Sequence, residues 1–293
     1  MEENKYIVWH IEGGLGKNVA ATALIGSLKD KYPDRKIVVC ASYPEVFLNH
    51  PALYRVYRAG NTQYFYDDFI KDKDTIVFKH EPYFQTNHIL RRKHLIENWC
   101  DLLGIDYDNQ QPVLNFNLVQ QRTATKWTRE KPILVLQTNG GPINSNLTYS
   151  WTRDIPFDIA MLIANKYKDS HHIIQICKES SRQLPNAEII NYTMTAMELF
   201  SILIMSDKRI LIDSCLQHAA AALNLKSTVL WVGTSPKNFG YVLHNNIVAN
   251  PPSDTTKLID SYLFDYSFEG VAHECPYYGI NEMFDTNKLL EQL

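Results

Sequence analysis

Short apolar runs alternate with amphipathic helical patterns along most of this chain. The segments KYIVWHI (5–11), KIVVCAS (36–42) and DTIVFKH (74–80) are nearly continuous in apolar residues, which is typical of strands buried on both faces of a parallel sheet. VAATALIGSLKDKY (19–32) has the apolar spacing of a helix, and Pro33 predicts where that helix ends. This alternation predicts an α/β protein with doubly wound parallel sheets.

A second helical pattern follows in NHILRRKHLIENWCDLLG (87–104), where Ile89 and Leu95 share one face. We predict one helix over this stretch, ended by Gly104. Over residues 117–132 apolar content falls and charge gathers. We interpret that stretch as a helix followed by a connector between two domains.

The alternation of strands and helices restarts after the connector. Apolar runs predict strands at 133–138, 172–177, 187–191, 209–214 and 227–233, and helical periodicity predicts helices at 157–167, 196–206, 215–224 and 285–293. Two Rossmann-like halves facing a central cleft account for this order most simply. We place an N-terminal domain at 1–127, a C-terminal domain at 128–275 and a tail helix in 276–293.

Composition narrows the class of protein. The chain has 293 residues, of which 45% are apolar and 21% charged, and its formal net charge is −3. A charge this small gives no overall field that would attract nucleic acid or an anionic membrane, so any anion must be bound by a local site. The acidic start and the absence of a long apolar run predict neither a signal peptide nor a transmembrane segment.

Cysteine usage indicates the cellular compartment. The five cysteines are odd in number, widely spaced and never paired as Cys-x-x-Cys, so neither a disulfide framework nor a zinc site is indicated. A cytoplasmic location is expected, with peripheral contact at the inner membrane face as a further expectation.

A glycine-rich loop follows the first strand. Gly13, Gly14 and Gly16 stand between a strand and a helix, a context in which backbone N–H groups bind anions, although a tight turn alone would also need glycine. A deviant P-loop is a second alternative. Against it, Asn18 replaces the magnesium-binding hydroxyl, and Ile11 stands where the first glycine of that motif belongs.

A second constellation lies in KRILIDSCLQHAAAALNLKSTVLWVGTSPKN (208–238). A strand ends at Asp213 and Ser214, both good N-cap residues, so the N–H groups of Cys215 and its successors should be open to the cleft, with His218 beside them. A diphosphate would meet backbone dipoles, a hydroxyl and an imidazole there. A packed histidine satisfied by a carbonyl is the alternative.

The next strand ends in a similar turn. Gly233 and Thr234 precede Ser235, which can cap a helix, and Pro236, which suits its first position. Because parallel strands end at the same edge of a sheet, the two loops should lie side by side.

These segments resemble glycosyltransferase family 9, the ADP-heptose:lipopolysaccharide heptosyltransferases. DSCLQHAAAAL (213–223) and GTSP (233–236) are similar to that family's D[TS]G-x-x-H-x-A-A-A-L and G-P-T motifs. TALIGSLKDKYP (22–33) resembles its T-P-L-L-R-A-L-K-x-x-Y-P helix, and Ser150-Trp151 its K-x-W-P segment. The resemblance implies a GT-B fold and an inverting, metal-independent glycosyltransferase that uses no cofactor beyond its nucleotide-sugar donor.

The chain departs from the family at the catalytic position. The resemblance puts an aspartate after the loop glycine, and Lys17 occupies that slot. We therefore expect Glu12 to be the base, with His10 behind it, and Lys17 to bind the donor diphosphate or an acidic acceptor. A solvated loop carboxylate is the alternative for Glu12.

Further donor contacts are expected around the second domain. Cys215 replaces the family's glycine, Tyr149 replaces its lysine, and Arg153 is a candidate to supply the lost charge. The remaining candidates are Thr138 and Asn139 at the end of one strand and Lys178 and Glu179 at the end of the next. An acidic side chain in the position of Glu179 binds ribose in dinucleotide sites. For Lys178 and Glu179 a surface charge pair is equally open.

The sequence therefore predicts sugar transfer from an ADP-heptose-like donor to a hydroxyl acceptor by a monomer. The acceptor is expected to be a saccharide, with modified DNA less favoured. The basic run Arg91 to His94 is interpreted as a solvated helix face, with an anionic acceptor as the alternative. A deviant P-loop nucleotide hydrolase and a catalytically silent nucleotide-sugar-binding protein remain the other functional alternatives.

Overall fold

The computed structural model describes residues 4–140, 149–252 and 275–293, and these residues form an α/β structure. The strands, in chain order, are β1 (Lys5–Ile11), β2 (Lys36–Ala41), β3 (Leu53–Arg58), β4 (Asp74–Phe78), β5 (Ile133–Gln137), β6 (His172–Cys177), β7 (Glu188–Asn191), β8 (Lys208–Ile212), β9 (Thr228–Trp231) and β10 (Asn245–Val248). The helices are α1 (Leu15–Ala21), α2 (Ile25–Lys31), α3 (Phe65–Phe69), α4 (Thr86–Ile89), α5 (Leu95–Leu103), α6 (Leu118–Ala124), α7 (Phe157–Tyr167), α8 (Ala196–Met205), α9 (Cys215–Ala222), α10 (Pro236–Phe239), α11 (Ile280–Met283) and α12 (Thr286–Gln292).

The strands form two separate sheets in which the paired strands are parallel. The N-terminal lobe has the order β3-β2-β1-β4, and the C-terminal lobe has β10-β9-β8-β5-β6-β7. Counted from β5, the second order is 3-2-1-4-5-6, the Rossmann arrangement. The predicted α/β fold with two doubly wound parallel sheets is therefore confirmed.

Apolar packing continues from one lobe into the other. One cluster of buried side chains includes Trp9 and Trp99 in the N-terminal lobe and Phe200 and Trp231 in the C-terminal lobe. Helices α1 and α9 are in contact across the boundary, as are α6 and α8. The lobes are thus held together by core-type packing on one side of the cleft.

Most predicted elements begin and end within two residues of their predicted bounds. The predicted helix at 87–104 is an exception, because it is two helices, α4 and α5. Arg91 between them has a φ of 52°, in the left-handed region, and His94 caps α5 by accepting a hydrogen bond from the N–H of Ile96 at 3.2 Å. The basic run Arg91 to Lys93 therefore lies in a turn and not on a helix face.

Helices lie in the predicted connector and in the predicted tail. Residues 117–124 form a capping box and helix α6, with Asn117 and Gln120 bonded to each other's backbone N–H. The tail helix α12 packs against α7, where the Tyr167 hydroxyl donates to the carbonyl of Leu293 at 2.6 Å. None of the helices in the described ranges is long and apolar enough to cross a membrane.

Candidate active site

The candidate site lies at the carboxyl edges of the two sheets, at the positions where the strand order reverses. In the N-terminal lobe these are the ends of β1 and β4, and in the C-terminal lobe the ends of β5 and β8. Open α/β sheets bind ligands at such points because the loops diverge there and leave a crevice. The glycine loop, Thr138–Gly140 and Asp213–Ser214 all come from these edges.

The glycine loop is held from within. Gly13 has a φ of 104°, which only glycine adopts without strain, and Gly14 precedes helix α1 as its N-cap. The buried Asn18 amide donates to the carbonyls of Gly13 at 3.2 Å and Gly14 at 2.9 Å, and its oxygen accepts from the N–H of Tyr43 at 3.4 Å. Asn18 thus fixes the loop rather than facing an open space.

Lys17 is buried and paired inside the N-terminal lobe. Its side chain is 4% exposed, and its ammonium group forms an ion pair with the carboxylate of Glu81. The Nζ atom also lies 5.2 Å from the centre of the Tyr83 ring and 6.0 Å from that of Trp99. In this arrangement the charge is directed at Glu81.

Glu81 is a site residue that the sequence analysis missed. It follows β4 in the loop next to the end of β1, its side chain is 36% exposed, and Oε1 accepts from the N–H of Tyr83 at 3.3 Å. Its only signal in the sequence is a carboxylate shortly after a buried strand, which describes many surface residues as well.

Glu12, the predicted base, lies at the end of β1. Its side chain is 59% exposed, and it pairs loosely with His10 at 3.4 Å and Lys79 at 3.8 Å. Burial lowers the pKa of His10, opposed by the charge of Glu12. This carboxylate is therefore accessible but held only by long, exposed ion pairs.

Gly16 brings the two lobes into close contact. A Cβ on Gly16 would lie 2.9 Å from the His218 ring carbon Cδ2 and 3.2 Å from the Cα of Cys215. The starts of helices α1 and α9 therefore touch across the lobe boundary. The structure thus brings the glycine loop together with the start of the alanine-rich helix.

His218 is enclosed in that contact. Its Nδ1 lies 2.8 Å from the Tyr241 hydroxyl and its Nε2 lies 3.1 Å from the amide nitrogen of Gln217, which also donates to the carbonyl of Phe239. Burial lowers the pKa of His218 to about 3, so the ring is neutral. A neutral ring with both nitrogens engaged makes no contact with a cleft ligand unless the junction with Gly16 opens.

The amides at the start of α9 are covered by the side chain of Cys215. Ser214 is the N-cap, as predicted, and makes no side-chain cap. The Cys215 sulfur lies 3.9 Å from the Ser214 hydroxyl, beside the first amides of α9. Burial raises the pKa of this thiol to about 11, so it stays protonated.

A buried carboxylate that the sequence analysis missed organises the end of β5. Asp154 accepts from the Asn139 amide at 3.1 Å and from the backbone N–H groups of Gly140 at 2.9 Å and Ser150 at 2.8 Å. Thr138 in turn accepts from the buried amide of Gln175 at 2.9 Å. Thr138 and Asn139 therefore shape the loop, and Gly140 lies against Ser214, whose Oγ would be 3.2 Å from a Cβ there.

A cavity of about 360 Å³ opens at the carboxyl ends of β6 and β7. It is lined by Lys178, Glu179, Ser180, Asn191, Tyr192 and Thr193. The Tyr192 hydroxyl donates to the carbonyl of Asn139 at 2.6 Å. The cavity thus adjoins the loop after β5, whose Gly140 lies against Ser214 at the start of α9.

Charged groups of the C-terminal lobe lie close to the cavity and to the lobe boundary. Burial lowers the pKa of Lys178, partly offset by the charge of Asp154. Arg153 acts electrostatically on both Lys178 and Tyr83, and the buried Asp213 acts on Tyr83 too. Tyr83 belongs to the N-terminal lobe, and its ring packs on Phe239 of the C-terminal lobe at 6.1 Å, so these charges lie near the lobe boundary.

The turn after β9 is built as predicted. Ser235 caps helix α10 by accepting from the N–H of Lys237 at 3.2 Å, and Pro236 is the first helical residue. Gly233 packs so tightly on Thr152 that a Cβ would lie 2.9 Å from the Thr152 Cα, and its carbonyl accepts from Arg91 at 3.3 Å. Thr234 is buried beside it.

The N-terminal lobe has a cavity of its own, of about 560 Å³. It lies on the sheet face opposite Trp9, beneath helix α3, and its lining includes His10, Cys40, Asn61, Thr62, Tyr66 and Lys79. Across the described ranges, no three His, Cys, Asp or Glu side chains are grouped so that they could hold a metal ion.

Three solved structures share this architecture over nearly the whole chain. A glycosyltransferase family 9 protein from Veillonella parvula superposes with a TM-score of 0.66 at 11% identity, covering 100% of this chain and 97% of its own. The ADP-heptose lipopolysaccharide heptosyltransferase II of E. coli gives 0.66 at 12% identity, with 98% of each chain covered. The iron-containing dodecameric glycosyltransferase TibC of enterotoxigenic E. coli gives 0.67 at 14% identity, with 98% of this chain and 76% of that one covered.

No protein-family profile and no curated protein matches the sequence. The two parallel-sheet lobes define the class, a protein with the GT-B fold. Within that class the chain has the fold of the family 9 heptosyltransferases, as the sequence resemblance implies.

Proposed function

We propose that this chain is a glycosyltransferase that moves a sugar from a nucleoside diphosphate sugar to a hydroxyl acceptor. The observation that carries the proposal is that Tyr192, which lines the cavity at β6 and β7, bonds to the loop after β5, and that this loop lies against Ser214 at the start of α9, opposite the glycine loop. A nucleoside in the cavity would direct its diphosphate to that point, where both lobes contribute to the site.

The donor is proposed to bind mainly to the C-terminal lobe. The cavity offers an acidic side chain, Glu179, for ribose hydroxyls, and Lys178 and Arg153 supply positive charge nearby. The backbone N–H groups at Ser214 and Cys215 would bind the leaving diphosphate, with Gly233 and Thr234 on the neighbouring strand end. Asp213 and His218 support these elements from within the packed junction.

The acceptor is proposed to reach the cleft from the N-terminal lobe. The cavity beneath α3 opens near Glu12 and Lys79, the ends of β1 and β4. Aromatic and amide groups in that cavity suit a saccharide, whose ring faces stack on aromatic side chains. The proposal extends to a cytoplasmic monomer, working by inversion without a metal.

An ADP-heptose-like donor is the specific substrate class that the neighbours suggest. The E. coli enzyme is described as an ADP-heptose heptosyltransferase, and a TibC complex contains ADP-D-β-D-heptose. A silent binding protein is the second candidate, because Lys17 takes the expected aspartate slot and Cys215 covers the α9 amides. A P-loop hydrolase is not favoured, since the buried Lys17 is engaged by Glu81.

A thermal-shift screen tests donor binding. ADP-heptose, ADP-glucose, UDP-glucose and GDP-mannose are compared with the free nucleotides on wild type, Lys178→Met and Lys168→Met. We expect one nucleotide class to raise the melting temperature of wild type and of Lys168→Met, which changes a surface lysine beyond α7, but not of Lys178→Met. No shift with any nucleotide would contradict the proposal.

A further inference from the structure

We propose that Glu81 is the carboxylate that takes the proton of the acceptor hydroxyl, and that Lys17 is the positioning residue that holds it. This inference rests on the proposed glycosyl transfer. It assigns the base to the loop after β4, whereas the sequence pattern alone points to Glu12 after β1.

The location of Glu81 suits a group that meets substrate. β4 returns to the far side of β1 after β2 and β3, so strand order reverses between β1 and β4. Loops at such a reversal separate and leave a crevice at the carboxyl edge of the sheet. Helix α1, which follows the β1 loop, carries Lys17, and the β4 loop carries Glu81.

Burial makes the pair obligatory. An ammonium group that is 4% exposed is costly unless it is paired, and Glu81 supplies the opposite charge. The rings of Tyr83 and Trp99 close around the ammonium at 5.2 and 6.0 Å. Since Lys17 has little freedom to move, the carboxylate oxygen that it binds has a fixed position.

Part of the Glu81 carboxylate is accessible to solvent. One oxygen of Glu81 binds Lys17, the other accepts the Tyr83 N–H at 3.3 Å, and more than a third of the side chain reaches solvent. A carboxylate accepts about four hydrogen bonds, so lone pairs remain for an incoming hydroxyl. The Tyr83 ring packs on Phe239 of the C-terminal lobe at 6.1 Å, which places this loop at the boundary between the lobes.

Glu12 lacks this rigidity. Its ion pairs with His10 and Lys79 are 3.4 and 3.8 Å long, and 59% of its side chain is exposed. Catalysis by a base depends on a held geometry, because a small displacement loses much of the rate. Glu81 is held by a buried cation and a backbone amide, so we assign the role to it.

The proposed step balances without a further reactant. The acceptor oxygen bonds to the anomeric carbon as its proton passes to Glu81, and the bond from that carbon to the donor diphosphate breaks. The electron pair of that bond leaves on the diphosphate. A positioned general base typically contributes a factor of about 100 to 10,000 in rate.

The test uses ADP-heptose as donor and either water or sodium azide as acceptor, with ADP release as the readout. Water must lose a proton during attack, whereas azide has none to lose. We expect Glu81→Gln and Glu81→Ala to release ADP to water at least about 100-fold more slowly than wild type, and azide to restore release in Glu81→Ala. ADP binding should change little. The melting temperature should fall in both variants, because the buried Lys17 loses its paired charge, and rescue by azide separates this loss of stability from the loss of a base.

Matched variants separate the base from a structural ion pair. Asp34→Asn removes a lysine-paired carboxylate at the opposite, amino edge of the same sheet, where Lys5 binds Asp34 at 3.0 Å, and should leave ADP release unchanged. Lys17→Met should lower kcat more than it raises the KM for the donor, and Lys17→Arg should restore part of the loss.

The outcomes distinguish a failure of the proposed glycosyl transfer from a failure of the role assigned to Glu81. Wild type that releases no nucleoside diphosphate from any donor of the panel would contradict glycosyl transfer itself, and the inference would fall with it. An active wild type whose Glu81→Ala variant is equally fast, or slow but not rescued by azide, would overturn the inference alone. Loss in Glu12→Gln with an unaffected Glu81→Gln would return the role to Glu12.

Discussion

At the scale of single residues, Cys215 has the clearest effect on the candidate site. Its thiol lies over the first amides of α9, the groups that would otherwise be free to bind a diphosphate. The thiol stays protonated because burial raises its pKa to about 11, so it adds no repulsive charge. Its effect on an anion is therefore steric.

We expect Cys215→Gly to bind ADP more tightly than wild type. Removing the side chain frees amide donors for a charged ligand, and a hydrogen bond to a charged group contributes roughly 1.5 kcal/mol or more. Calorimetric titration with ADP should therefore give a Kd several-fold lower. Cys215→Ser keeps the site covered and is the control, expected to bind as wild type does; equal or weaker binding by the glycine variant would refute this reading.

Site residues could be predicted from the sequence where a local backbone requirement, such as a turn or a helix cap, determines the residue type. The turn glycine at Gly13 and the caps Ser214 and Ser235 follow from backbone requirements, and the structure has each in its expected place. Asp154 and Glu81 were missed because their partners come from other loops, up to 64 positions away for Lys17 and Glu81. One sequence does not reveal which distant residues the fold brings together.

At the scale of elements, the contact between α1 and α9 defines how the lobes meet. Gly16 allows the approach, since a Cβ there would collide with the His218 ring and the Cys215 backbone. The His218 ring is in turn fixed by Tyr241 and Gln217 and has little room to move away.

Gly16→Ala should destabilise the protein. Overpacking a filled contact costs roughly 1 to 3 kcal/mol, which urea unfolding would detect as a lower midpoint. Gly26→Ala is the matched control, because Gly26 lies in α2 with no atom within 4 Å of its Cβ position. Helix propensity makes that change neutral or stabilising by about 0.5 to 1 kcal/mol. Equal effects of the two variants would argue against a tight junction.

Element prediction failed where tertiary contacts override local pattern. The sequence 87–104 has helical periodicity throughout, yet Arg91 takes a left-handed conformation and its side chain reaches the carbonyl of Gly233 in the other lobe. The edge strands β3 and β10 were also missed. Their residues are half-buried or exposed, so they lack the continuous apolar run that identifies the central strands.

At the scale of the whole molecule, histidines are concentrated at the lobe boundary. Asn238 of the C-terminal lobe donates to the carbonyl of His88 at 2.9 Å, and the ring of His94 packs on Tyr241 at 5.5 Å. Burial lowers the pKa of His88 and His94 to about 4 and that of His218 to about 3. The folded interface therefore contains neutral rings.

Stability should fall as the pH drops below about 6.5. The unfolded chain binds protons on these histidines near pH 6.5, whereas the folded chain does so only near pH 4 and below. Within that window each of these histidines lowers the free energy of unfolding by about 1.4 kcal/mol for every pH unit by which the pH falls. Urea unfolding at pH 7.5 and 5.5 should give a clearly lower midpoint at pH 5.5. Carboxylates titrate mostly below this window.

Two variants check the source of that dependence. His88→Phe keeps the packing against Tyr83 and Phe239, whose ring centres lie 5.2 and 5.3 Å away, and removes one titrating group. It should reduce the difference in stability between the two pH values by about 1 kcal/mol. The exposed His80, changed to Gln, should leave the difference as it is. A pH-independent midpoint in wild type would contradict a neutral histidine interface.

Glycosyl transfer is tested most sharply by the release of ADP from ADP-heptose by the purified wild-type protein in the presence of EDTA. We expect enzyme-dependent ADP release that continues without free metal ions and that depends on Lys178. No release from ADP-heptose or any other nucleotide sugar, or nucleotide hydrolysis that requires magnesium and no sugar, would contradict it.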